Sequence, residues 1–100
     1  ETSVVNFQSN KQFQYDWEKV LVFSYFLVFH EDCNPFNVKD LRRLFKKFKQ
    51  DTPSNLSDMI STNVKKGYIK AKTKDENNLM TYIFTGEGKE YVEEDLDASD

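Results

Sequence analysis

His30, Glu31, Asp32 and Cys33 stand side by side and hold the only histidine and the only cysteine of the chain. A thiol and an imidazole beside two carboxylates could supply an activated nucleophile or half of a metal site. Either chemistry needs more than this stretch offers. No second thiol or imidazole exists to complete a ligand set, and Pro35 marks the stretch as a loop in which the preceding helix stops. A helix-end histidine beside a small, partly buried cysteine is the stronger reading. Gly86-Glu87-Gly88 lacks the further glycines and the preceding context of a phosphate loop, and a helix start accounts for it better. The carboxylates of residues 87–100 read as a solvated face and tail rather than an acid–base pair. With no catalytic set, an enzyme is not expected, and nothing implies a cofactor or a metal.

A different chemistry is available in Asn55-Leu56-Ser57-Asp58-Met59-Ile60-Ser61-Thr62-Asn63-Val64-Lys65. At helical spacing, Leu56, Ile60 and Val64 share one side, while Asn55, Ser57, Asp58, Ser61, Thr62 and Lys65 share the other. A short helix with an apolar back and a hydrogen-bonding front suits the edges of bases. It equally describes an ordinary surface helix. The charge distribution bears on the choice. Residues 39–74 carry eleven bases and three acids, between an N-terminal segment with two bases and five acids and a C-terminal one with one base and nine acids. The net charge of −3 hides this block, and a nucleic-acid footprint depends on such local clustering. Lysines coating solvated helix faces would give a similar count.

The elements that must position these residues follow from periodicity. One hundred residues at 38% hydrophobic allow one domain, and fifteen aromatic residues give its core large side chains. The spacing predicts a first helix from Trp17 to about His30. Trp17, Val20, Leu21, Ser24, Leu27 and Val28 line one face, and Val22, Phe23, Tyr25, Phe26 and Phe29 fill most of the rest. A helix apolar nearly all round is buried on more than one side. Two arrangements satisfy it: a homodimer or protein partner docking through residues 17–29, or a central core helix wrapped by the N-terminal arm, where Val4, Val5 and Phe7 could form a short strand.

Asn37 caps a second helix, answered by Asp40 in an aspartate variant of the capping box, with Phe36 and Leu41 placed as a hydrophobic staple. Its apolar stripe is Leu41, Leu44, Phe45 and Phe48, and Arg42, Arg43, Lys46, Lys47 and Lys49 cover its outside. Asn55 and Asp58 repeat the same opening grammar after a turn containing Pro53, and Gly67 closes the third helix as a left-handed cap would. Residues 68–73 and 79–84 read as a hairpin around the turn 75–78. Thr85 caps a last helix, running from Gly86 to about Glu94 with Tyr91 and Val92 inward. The run Val20–Phe29 is far shorter than the roughly 20 residues of a membrane span, and it lacks the flanks of a signal peptide. A lone cysteine makes no internal disulfide, so cytoplasm is the expected compartment. A start at Glu1 rather than methionine is expected of a piece of a longer protein or of a processed chain.

Helix, extended piece, helix, turn, helix, hairpin, helix is the order of a winged helix-turn-helix domain. The run Lys65-Lys66-Gly67-Tyr68-Ile69 after the third helix, and Thr85-Gly86-Glu87-Gly88 opening the last, resemble MarR/PadR-type transcriptional regulators. The resemblance covers about residues 17–94, leaving 1–16 as an N-terminal arm and 95–100 as an acidic tail. It implies a mainly α fold with a small β-hairpin: a three-helix core, a two-stranded wing and a C-terminal helix. It further implies double-stranded DNA binding, in which Ser54, Asn55, Ser57, Ser61, Thr62 and Lys65 face the major groove. Lys70, Lys72 and Lys74 would lie on the wing, and Lys46, Lys47 and Lys49 could grip the backbone. Three residue choices run the other way. Asp58 sits on the reading face, the wing tip Asp75-Glu76-Asn77-Asn78 is acidic, and the third helix has no arginine for the commonest guanine contact. The same fold also serves protein docking, here through the aromatic first helix, and RNA binding through the same basic face.

Overall fold

Asp16 to His30 form the first helix, α1, around which the rest of the chain is assembled. A computed structural model describes residues 15–95. The expected arm and acidic tail therefore lie almost wholly outside the described residues. After α1 come α2 (Val38–Lys47), α3 (Leu56–Lys65), strands β1 (Ile69–Lys74) and β2 (Met80–Phe84), and α4 (Gly86–Glu90), which runs on as a π-helical turn over Tyr91–Asp95. The described chain is thus mainly helical with a small two-stranded antiparallel sheet, as expected.

Every residue of α1 from Val20 to Val28 is buried, and each side meets a different neighbour. Phe23 stacks on Phe45 of α2 with centroids 4.1 Å apart, and Phe26 meets Phe48 edge-on at 5.9 Å. Tyr25 and Phe29 each meet Phe84 of β2 edge-on at 5.8 Å. Trp17 stacks on Tyr68 at 6.2 Å and on Tyr91 at 6.0 Å. Of the two arrangements open to α1, the structure has the buried core helix, with no broad apolar face left for a homodimer or a protein partner. Phe23 is 0% and Phe26 3% exposed, and only Phe29 at the helix end, at 41%, remains open. The physical reason is that the neighbouring elements bring aromatic rings of their own, so the all-round apolar helix is satisfied within one chain.

Buried polar groups on α1 are bonded rather than stranded. Ser24 Oγ donates to the Val20 carbonyl at 2.8 Å. The Glu18 carboxylate accepts the Tyr15 N–H at 3.1 Å and the Tyr91 hydroxyl at 2.6 Å, while the Tyr25 hydroxyl donates to Glu93. Two tyrosine–carboxylate bonds thereby fasten the C-terminal turn to α1. Val92 is fully buried and Tyr91 packs against the core, as the sequence implied.

At the start of α2 the capping box forms as expected. Asn37 Oδ1 accepts the Asp40 N–H at 3.0 Å, and Asp40 Oδ2 accepts the Asn37 N–H at 2.9 Å. Phe36 and Leu41 are both fully buried. The Phe36 backbone also exchanges hydrogen bonds with Tyr82 (3.1 and 2.8 Å), laying the segment between α1 and α2 against β2. Leu41, Leu44 and Phe45 form the inward stripe, with Arg42, Arg43, Lys46 and Lys47 exposed outside.

The opening of α3 differs from the expectation. Asn55 occupies the N-cap position, but its side chain makes no capping bond. Its ψ of 44°, against 178° for Asn37 and 166° for Thr85, is not the extended geometry that turns a side-chain oxygen toward the first free N–H groups. Leu56 and Ile60 are buried as expected, whereas Val64 and Trp17 are only half-buried. Asn63 takes the remaining inward position at 0% exposure, its amide donating to the carbonyls of Met59 (2.9 Å) and Trp17 (3.1 Å). That bond joins α3 to the start of α1.

Gly67 ends α3 with φ +86°, the left-handed conformation expected of it. Ile69 pairs with Phe84 and Ala71 with Tyr82, after which a bulge shifts the register to Lys74 opposite Met80. Thr85 caps α4 as expected, accepting the Gly88 N–H at 3.0 Å while its hydroxyl donates to the Gly67 carbonyl at 2.6 Å.

Candidate nucleic-acid interface

The outward side of α3 carries Ser57, Ser61 and Lys65, preceded by Ser54 and Asn55, and all five are exposed. Leu56, Ile60 and Asn63 take the inward positions, so these five face away from the core, as does the acid Asp58. None of them holds an intramolecular side-chain hydrogen bond or ion pair among the described residues. Thr62 departs from this group. It is half-buried, and its hydroxyl donates to the Asp58 carbonyl of its own helix at 3.0 Å, so its donor is committed to the backbone. Asp58 is exposed on the same side of α3, and the Asn55 cap beside it is unformed.

On the hairpin, Lys70, Lys72 and Lys74 are exposed and hold no ion pair among the described residues. Lys70 and Lys72 share one face by strand alternation, and the bulge changes the alternation before Lys74. In the acidic turn beyond them, Asp75 is fixed by hydrogen bonds. Asp75 Oδ1 accepts the N–H groups of Asn77 (2.8 Å) and Leu79 (3.1 Å), and Oδ2 accepts the Asn37 side-chain amide at 2.9 Å. The backbone N–H of Leu79 chiefly, with the amide of Asn37, the N–H of Asn77 and the charge of Lys39, holds the Asp75 carboxyl below the usual aspartate range. Asp75 therefore tethers the hairpin to the cap of α2, and Glu76 is the acid left exposed in the turn.

Lys46 and Lys47 at the end of α2 are used differently. Lys47 Nζ is 3.1 Å from Glu31 Oε2 and 5.5 Å from the Phe48 ring centroid, so its charge is already answered. Lys46 instead lines a surface groove with Arg42, Arg43 and Thr52. Arg42 and Arg43 were absent from the expected contact set, as was Thr52. The sequence signal was present, since Arg42 and Lys46 stand four residues apart and so share a helix face. Lys66 also differs from its neighbours: its ammonium sits 4.5 Å over the Trp17 ring.

The His30–Cys33 stretch forms no reactive pair. Cys33 is half-buried, and burial first, then the Asp40 carboxylate, push its thiol above the ordinary value, which disfavours the thiolate. His30 stacks on Phe26 at 5.0 Å. Among the described residues no group of three or more His, Cys, Asp or Glu is placed to hold a metal ion, and no helix is long and apolar enough to cross a membrane. No protein-family model matches the chain, and neither a curated protein nor a solved structure matches it.

Proposed function

We propose that the chain is a winged helix-turn-helix domain that binds double-stranded DNA, either as a transcriptional regulator or as the DNA-binding module of a larger protein. The observation that carries this reading is the division of labour among the bases. Of the described bases outside residues 39–74, Lys89 pairs with Glu93 and Lys19 donates to the Gln50 side chain. Inside the block, Arg42, Lys46, Lys49, Lys65, Lys70, Lys72 and Lys74 have no acid partner among the described residues. These free charges flank an α3 whose exposed amide and hydroxyls are likewise unspent. Phosphate contacts give sequence-independent affinity, and uncommitted donors and acceptors on one helix face can read bases. The protein-docking reading loses the surface it relied on, since Phe23 and Phe26 are buried within the chain.

The test is binding to random and to defined duplexes across a salt series. Each phosphate contact contributes about −0.9 to the slope of log affinity against log salt. Lys65→Ala and Lys72→Ala are each expected to flatten that slope by about one unit and to weaken all sequences alike. Asn55→Ala is expected to relax preference at one base position by about 1–3 kcal/mol. Its unformed side-chain cap removes the stability loss that would otherwise confuse the result. Duplex RNA in the same series separates the RNA reading. Absence of salt-sensitive duplex binding at low ionic strength would return α3 to an ordinary surface helix.

A further inference from the structure

Arg42, Arg43 and Lys46 on the outer side of α2 and Thr52 in the turn toward α3 line one groove of about 470 Å³. That volume lies within the roughly 300–1,000 Å³ of small-molecule sites. Concentrating three cations there is unfavourable for the helix itself, because like charges at a four-residue spacing destabilise it. Neutralisation within the chain is partial. Asp40 reaches Arg43 at 3.0 Å, but its other oxygen serves the α2 capping box, and Arg42 and Lys46 have no acid partner among the described residues. Lys47, one residue from Lys46, is paired with Glu31 and does not line the groove. Two of the groove's three cations, Arg42 and Lys46, are thus unanswered.

We propose that this groove is a binding site for a phosphate-ester anion, with Arg42 and Lys46 supplying charge, Arg43 a planar pair of donors and Thr52 a hydroxyl. Arg43 spends one terminal nitrogen on Asp40, which orients the guanidinium, and its remaining N–H groups suit two oxygens of a phosphoryl group. The chemistry fits two sources: the sugar–phosphate backbone of a duplex entered by α3, or a free organic phosphate. The first rests on the function proposed above; the second stands without it.

The experiment titrates the intact chain with pyrophosphate, followed by the Thr52 amide and the Arg42 and Arg43 side-chain signals in NMR, and repeats the titration against saturating duplex DNA. Millimolar or tighter pyrophosphate binding that perturbs these groups is expected. Arg42→Gln and Lys46→Gln are each expected to weaken it by about tenfold, as loss of a charge-assisted hydrogen bond implies. Lys89→Gln, a base outside the groove and paired with Glu93, should leave it unchanged. Displacement of pyrophosphate by duplex identifies the backbone as the source, and simultaneous binding of both identifies a free phosphate ester. If pyrophosphate leaves Thr52 and both arginines unperturbed, the groove is no such site, even where duplex binding through α3 persists. Pyrophosphate binding without duplex binding would keep the groove and overturn the DNA reading instead.

Discussion

Gly67 and Gly88 require glycine for different reasons. At Gly67 the constraint is conformational: φ is +86°, while an added Cβ would meet only Glu87 Oε2 at an ordinary 3.6 Å. Gly67→Val is therefore expected to lose about 1–2 kcal/mol in urea denaturation, the cost of forcing a side-chain-bearing residue into the left-handed region. At Gly88 the constraint is space, because a Cβ would lie 2.1 Å from the Tyr68 carbonyl oxygen. Gly88→Ala must separate α4 from the α3–β1 junction and is expected to be the more destabilising of the two, even though alanine is the better helix former. A smaller loss at Gly88 than at Gly67 would contradict the close packing seen there. The two glycines differ in legibility as well. Gly67 follows a helix pattern and reads as a cap, whereas the approach of Gly88 to Tyr68 is a long-range contact with no local sign. Asn63 was hidden for the same reason. An amide among serines, threonines and lysines looks solvent-facing until the carbonyl of Trp17 is brought over it.

Among the elements, α2 and α3 share an Asn-x-x-Asp opening, yet only the first forms its box. The sequence supplies the cap residues, but the chain path before the helix sets ψ. Lys49 in the left-handed region and Pro53 in the turn deliver Asn55 in a geometry that Asn37 does not share. Helices and hairpin were legible because their periods are local, and this backbone angle was not. Wing anchoring makes a pH prediction. The Asp75 carboxyl is held below its ordinary value by bonds that exist only when folded, so the anchor contributes above the unfolded pKa of about 3.9 and is lost as pH falls through the lower folded value. The Asn77 and Leu79 amide shifts are expected to titrate together with a midpoint below that of a free aspartate. Asp75→Asn should abolish this titration. A midpoint at or above the free value would mean that the tether does not form in solution.

For the molecule as a whole, the organising fact is a central α1 enclosed by α2, α3, the hairpin and the C-terminal turn. The all-round apolar pattern announced burial on several sides but not who supplies the cover, because aromatic partners such as Phe45, Phe84 and Tyr91 lie far away in sequence. Cover from within changes what a mutation should do. Phe23→Ala, which removes a ring stacked at 4.1 Å on Phe45, is expected to cost about 3–5 kcal/mol. Phe26→Glu should likewise lower the urea midpoint sharply while leaving the sedimentation mass unchanged. A change in mass without a change in stability would place these rings in a subunit interface instead. Of the candidate site, the lysines of the hairpin and the outward residues of α3 were legible from period and charge. The tying of Lys47 to Glu31 and the release of Lys46 into a groove were not, since both depend on how α2 is rotated against α1.

Trp17, the only tryptophan, stacks on Tyr15, Tyr68 and Tyr91 with the ammonium of Lys66 4.5 Å above its ring. The chain thus carries one chromophore at the point where the start of α1, the exit of α3 and the closing turn converge, ringed by three donors of excitation energy. Light absorbed by Tyr91 should emerge as tryptophan emission for as long as the closing turn stays docked. Loosening that turn with Tyr91→Leu should dim the transfer and redden the emission while the far-ultraviolet helical signal persists. The molecule reports its own closure, without a label.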